Sequence, residues 1–91
     1  MKDKDKVIFI TGGTTGIGLA TVRTCIDRGA RVAVYSVSEP TDEELFKNDN
    51  ILFIKGDITN AKAVEKAFKT TIKTFGSCDV LINNAAIVTM S

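Results

Sequence analysis

A glycine-rich turn holds the residues of this sequence most apt for chemistry. Thr11-Gly12-Gly13-Thr14-Thr15-Gly16-Ile17-Gly18 follows the apolar run Val7-Ile8-Phe9-Ile10, the order of buried strand, turn and helix start that phosphate binding requires. Gly12 permits a sharp exit from the strand, Gly16 lets backbone approach a diphosphate, and Gly18 lets helix and sheet pack closely. The N–H groups of residues 16–19 lack partners inside a helix that starts there, so they face a ligand with the helix dipole behind them. A glycine turn without a ligand is the plain alternative, and the order of the three elements speaks against it.

Two other phosphate motifs fail here. A P-loop needs Lys-Ser/Thr after the final glycine, whereas Leu19-Ala20 follows Gly18, so triphosphate and magnesium binding lose their ligands. The common dinucleotide spacing Gly-x-Gly-x-x-Gly is also absent, because the spacing here is Gly-x-x-x-Gly-x-Gly.

The elements that must position this turn are legible as hydrophobic patterns. Apolar, β-branched runs at 7–10, 32–35, 51–54 and 80–82 read as strands covered on both faces. Ile17, Ala20, Thr21, Thr24 and Cys25 recur at helical spacing and Gly29 supplies a stop, predicting a first helix over 16–28. Thr41 with Glu44 three residues later forms a capping box ahead of Leu45 and Phe46, predicting a short helix that ends near Asn48. Asn60 caps a third helix with an apolar stripe of Val64, Phe68, Thr71, Ile72 and Phe75, closed by Gly76. Strands alternating with helices predict an α/β fold: a doubly wound parallel sheet with strand order 3-2-1-4, helices on both faces, and an outer edge on the fourth strand.

Composition narrows the function classes. Twelve basic and 11 acidic residues give a net charge of +1, so no basic footprint for nucleic acid or an anionic membrane exists. No run approaches the roughly 18 apolar residues of a membrane span, and Met1-Lys2-Asp3-Lys4-Asp5-Lys6 reads as a solvated leader, so the expectation is a soluble, cytoplasmic chain. With no histidine and only Cys25 and Cys78, a soft-metal site lacks its ligands, and both thiols read as reduced and buried. At 91 residues the chain has room for one core, of marginal stability without a ligand or partner.

The spacing Thr-Gly-x-x-x-Gly-Ile-Gly resembles the nucleotide-binding signature of the classical short-chain dehydrogenase/reductase family. Three further landmarks follow in order: Gly29-Ala30-Arg31-Val32 at the entry to the second strand, Gly56-Asp57-Ile58-Thr59 as an adenine-contacting loop, and Asn83-Asn84-Ala85-Ala86 in place of Asn-Asn-Ala-Gly. The resemblance implies a Rossmann-type segment over residues 1–91 that binds a nicotinamide dinucleotide. Gly12, Thr14, Thr15, Gly16, Ile17 and Gly18 would line the phosphates. Asp57 would take the adenine amino group while Ile58 faces the ring, and Asn84, Ala85 and Ala86 would run beside the ribose and nicotinamide. Asn83 would tie neighbouring strands together. For Asp57, a turn aspartate bonding its own backbone is the open alternative.

An acidic residue at the end of the second strand would grip a ribose diol and repel a 2′-phosphate, and the family's position for it is Ser36 here. The barrier to NADP is therefore gone, and Ser36, Ser38 and Thr15 can donate to a phosphate, although the usual arginine or lysine is missing too. NADP is expected over NAD. The family's catalytic serine and Tyr-x-x-x-Lys motif do not occur in the chain; its one tyrosine, Tyr35, is followed four residues later by Glu39. The resemblance thus implies an amino-terminal segment that is catalytically silent alone and completed by a carboxyl-terminal half. A small nucleotide-binding or interaction module, pairing with a second copy through the open fourth strand, is the alternative.

Overall fold

The computed structural model describes residues 5–12, 14 and 16–83. Its elements are β1 (Val7–Thr11), α1 (Gly16–Asp27), β2 (Arg31–Ser36), a 3₁₀ turn (Leu45–Lys47), β3 (Ile51–Lys55), α2 (Ala61–Phe75) and β4 (Val80–Asn83). The strands form one sheet of order β3-β2-β1-β4, parallel throughout. This is the α/β architecture that the strand and helix alternation predicts.

Register sorts the strand side chains onto two faces. Ile10 is level with Val34 and Ile82, and Val34 with Phe53; this row, with Val32 and Ile51, packs under Val22, Cys25 and Ile26 of α1 and under Leu45 and Phe46. One residue earlier, Phe9, Ala33 and Leu52 share a row, and with Tyr35 and Ile54 they pack under Ala63, Val64, Ala67, Phe68 and Phe75 of α2. The alternation follows from the period of two along a strand. Every β1 residue is buried, which is why that strand reads as an unbroken apolar run.

α2 matches its sequence signals. The Asn60 side chain accepts from the Ala63 N–H, and Gly76 takes φ +92° while its N–H bonds the Ile72 carbonyl. Thr71 is buried in the helix and donates to the Ala67 carbonyl at 2.9 Å, which satisfies its hydroxyl. Ile72 departs from the predicted stripe, 40% exposed at the stripe's edge.

Two helical expectations need correction. The inward face of α1 is Gly18, Val22, Cys25 and Ile26, whereas Ile17 is 81% exposed and Ala20 and Thr24 face solvent. The side-chain-free Gly18 sets which face lies nearest the sheet, and this shifts the phase. The predicted second helix is a single 3₁₀ turn; Asp42, not Thr41, accepts from the Leu45 N–H at 3.0 Å, while the Thr41 hydroxyl donates to the Thr14 carbonyl at 3.2 Å. Asp42 also pairs with Arg23 of α1. The cap thus sits one residue later than predicted, and the chain turns extended at Asn48, ψ 130°, which ends the helix after a single turn.

Neither cysteine is in a disulfide, and both are half-buried rather than buried. Burial raises the Cys78 thiol above its usual value, which keeps it in the unreactive protonated form. Among the described residues no helix is long and apolar enough to cross a membrane. The α2 cap gives a direct check: Asn60→Ala should lower stability by about 1 kcal/mol in urea denaturation, with no change in the slope of the transition.

Candidate functional site

The carboxyl ends of β1, β2 and β3 converge on one side of the sheet, where open α/β sheets bind ligands. β1 ends at Thr11, which is buried and donates its hydroxyl to Asn83 Oδ1 at 2.8 Å. That bond ties β1 to β4 side chain to side chain. The chain then leaves the strand at Gly12, φ +74°, whose N–H bonds the Tyr35 carbonyl at 2.9 Å.

α1 begins at Gly16 with φ +57°, and a Cβ built there would meet nothing within 4 Å. The space over this residue is thus open, while its backbone disfavours any side chain. Beside it the first-turn N–H groups of α1 are free of intrahelical bonds, Gly18 is buried against the sheet, and Ile17 stands in solvent. Thr15, Asn84, Ala85 and Ala86 lie outside the described residues.

At the end of β2 three hydroxyls form a triangle. Thr14 Oγ1 lies 2.9 Å from Ser38 Oγ and 3.3 Å from Ser36 Oγ, and Ser36 and Ser38 are 3.3 Å apart. Thr14 and Ser36 are buried, so of the three only Ser38 is exposed. Expected to face a ligand, Ser36 and Ser38 instead bond Thr14 and lock the glycine turn to β2, a link that no local sequence pattern announces. Lys55, the register partner of Ser36, reaches the site only through the sheet, and its ammonium pairs with Glu39 at 2.9 Å.

At the end of β3 the loop Gly56-Asp57-Ile58-Thr59 is held from several sides. The Gly56 N–H bonds the Ser36 carbonyl at 2.9 Å. Asp57 Oδ1 accepts from the Thr59 N–H at 2.9 Å and its hydroxyl at 2.8 Å. Those bonds, the backbone one first, hold the Asp57 carboxyl below the usual carboxylate range against a smaller opposing effect of burial. The turn-aspartate alternative is therefore realised at one oxygen, and among the described residues no donor reaches Oδ2. A cleft of about 180 Å³ opens between Thr11, Gly12, Ser36, Val37, Asp57 and Ile58, with Tyr35 and Gly56 at its floor. Val37 and Ile58 are exposed apolar side chains at 68% and 38%, suited to the faces of a flat ring.

Gly56 is required by a neighbour that no motif announces. A Cβ there would stand 2.3 Å from the Tyr35 hydroxyl oxygen. Tyr35 is 1% exposed and its ring is stacked on Phe9, so it has nowhere to retreat. Gly56→Ala should cost about 1–3 kcal/mol in chemical denaturation, as overpacked sites do. Burial, and secondarily the Asp57 charge, raises the Tyr35 phenol above its ordinary 10.0. The folded chain therefore keeps this proton longer than the unfolded chain, and the associated stability, whole below pH 10, declines as pH climbs from there toward the folded value. Melting temperatures between about pH 9 and 11 should fall more steeply for the wild type than for Tyr35→Phe.

Comparison with known proteins places this geometry. An uncharacterized oxidoreductase, YxnA, of Bacillus subtilis (strain 168) is 39% identical over 93 aligned residues, covering 97% of this chain and 26% of the relative. The solved Cj0485 dehydrogenase superposes with a TM-score of 0.84 at 34% identity, over 92% of this chain and 34% of that one. A short chain dehydrogenase from Leptospira borgpetersenii serovar Hardjo-bovis, solved with bound NAD+, gives a TM-score of 0.77 at 31% identity, over 88% of this chain and 31% of that one. The chain spans between 26% and 36% of the length of the curated relatives it matches. The family model for short chain dehydrogenase covers residues 6–91; with the parallel 3-2-1-4 sheet, the glycine turn and the Asp57 loop in place, the chain belongs to the short-chain dehydrogenase family.

Proposed function

We propose that this chain is the nucleotide-binding segment of an oxidoreductase acting on an alcohol/carbonyl pair, and that it binds a nicotinamide dinucleotide across the carboxyl ends of β1, β2 and β3. The observation that carries this reading is the cleft between Gly12, Ser36, Asp57 and Ile58, set beside the open space over Gly16. The diphosphate rests on the N–H groups at the start of α1, the adenosine ribose near Ser38, and the adenine between Val37 and Ile58 with its amino group toward Asp57. Thr14 holds the turn against β2, and Thr15, Asn84, Ala85 and Ala86 complete the cofactor contacts. The dinucleotide, when bound, supplies or takes up hydride; the residues here bind and orient it.

NADP is the preferred form in this reading. Ser36 leaves no carboxylate to repel a 2′-phosphate, Ser38 offers an exposed hydroxyl, and Lys55 stands one strand away in register with Ser36. Because the family's serine and Tyr-x-x-x-Lys residues are missing from the 91 residues, the chain is silent toward substrate by itself. A carboxyl-terminal half, covering the exposed Val80 and Leu81 of β4, would restore activity. Cys25 and Cys78, neither in a disulfide, suit a reducing, cytoplasmic setting.

Titration of the purified chain with NADPH and NADH, followed by nicotinamide fluorescence, should saturate for both and at lower concentration for NADPH. Gly16→Val should abolish the signal while the folded circular dichroism persists; an equal signal from that variant rules the site out. Glu39→Gln, which frees Lys55, should raise the preference for NADPH by about threefold, the scale of an exposed ion pair.

A further inference from the structure

We infer that Tyr35 is a positioning residue for adenine recognition: its hydroxyl fixes the peptide of Asp57, so that the carboxylate is presented to the base. The inference rests on the dinucleotide reading above and adds to it a residue that acts through another. Tyr35 lies at the end of β2, buried, with its hydroxyl donating to the Asp57 carbonyl at 2.9 Å. The same carbonyl accepts from the Asn60 N–H at 3.0 Å. The loop is thus pinned from below by a side chain of the neighbouring strand and from ahead by the start of α2.

The geometry makes this bond specific to the loop's position. Gly56 passes directly over the phenol, and any side chain there would collide with the hydroxyl or the ring edge. Beneath, Phe9 holds the ring, with centroids 6.3 Å apart and planes at 23°. The loop therefore sits at a height set by the length of a tyrosine, and its two Thr59 bonds consume Oδ1 of Asp57. Oδ2 is left to accept an exocyclic amine. Removing the hydroxyl leaves the ring packing intact and the Asp57 carbonyl with one donor fewer, so the loop loses its fixed height while the core does not.

The test compares NADH and NADPH, each beside its counterpart with hypoxanthine in place of adenine, binding to the full chain. Hypoxanthine offers a carbonyl oxygen where adenine offers an amino group, so a well-placed carboxylate should favour adenine about tenfold. Tyr35→Phe should reduce that ratio to about threefold, and in an Asp57→Asn background it should have no further effect on the ratio. General loosening of the fold weakens both bases alike and leaves the ratio unmoved. A wild-type chain that binds neither base form overturns the dinucleotide reading and this inference together. Saturable binding with equal affinity for the two bases, or an unchanged ratio in Tyr35→Phe, overturns the role of Tyr35 and leaves the dinucleotide reading standing. Should Tyr35→Phe lose its helical circular dichroism, the wild type decides: it has one tyrosine and no tryptophan, so its intrinsic emission reports on Tyr35. Saturating ADP-ribose should change that emission more than the inosine analogue does, and equal responses overturn the inference.

Discussion

The central strands must be dry on both faces, because parallel strands offer no side on which polar residues can meet water. β1 and β2 meet this demand by sending alternate residues to two separate helical layers: Ile10, Val32 and Val34 toward α1, Phe9, Ala33 and Tyr35 toward α2. Once these rows are packed, the strand ends can lie nowhere but along one line. The glycine turn, the hydroxyl triangle and the Asp57 loop are that line, brought level by register and then bonded to one another through Thr14, Ser36 and Tyr35.

Backbone, more than side chain, shapes the candidate site. The start of α1 presents N–H groups, Gly12 and Gly16 keep side chains away from them, and the hydroxyls around Thr14 lock the turn to β2. Under the proposed dinucleotide reading few groups need ordering on binding, which lowers the cost of association. Asp57 extends the same logic, its carboxylate half occupied by Thr59 and half left over.

Strands and α2 were legible in the sequence because their signals are local. Runs of β-branched residues mark both-faces burial, and Asn60 and Gly76 cap α2 through bonds that span a few positions. The exit from β1 and the start of α1 were legible too, since Gly12 and Gly16 take positive φ where the sequence places them. The second helix was not legible: Thr41 and Glu44 fit a capping box, but Asp42 caps Leu45 instead and the chain turns extended at Asn48 after one 3₁₀ turn. The face of α1 was misphased because helical spacing was counted from Ile17, whereas the sheet takes Gly18, the smallest residue, at closest approach. Tyr35 over Gly56 left no trace in any motif, because the contact exists only after β2 and β3 have found their register.

Asn60 joins two parts of the molecule that are usually discussed apart. Its N–H ends on the Asp57 carbonyl, and its side chain starts α2 by accepting from Ala63. The first turn of that helix and the cleft loop therefore share one residue, and fraying of the helix costs the loop an anchor. By reciprocity, whatever quiets the loop must quiet the helix by the same free energy. A ligand bound in the cleft as proposed would thus be registered by α2, some distance from any atom that touches it.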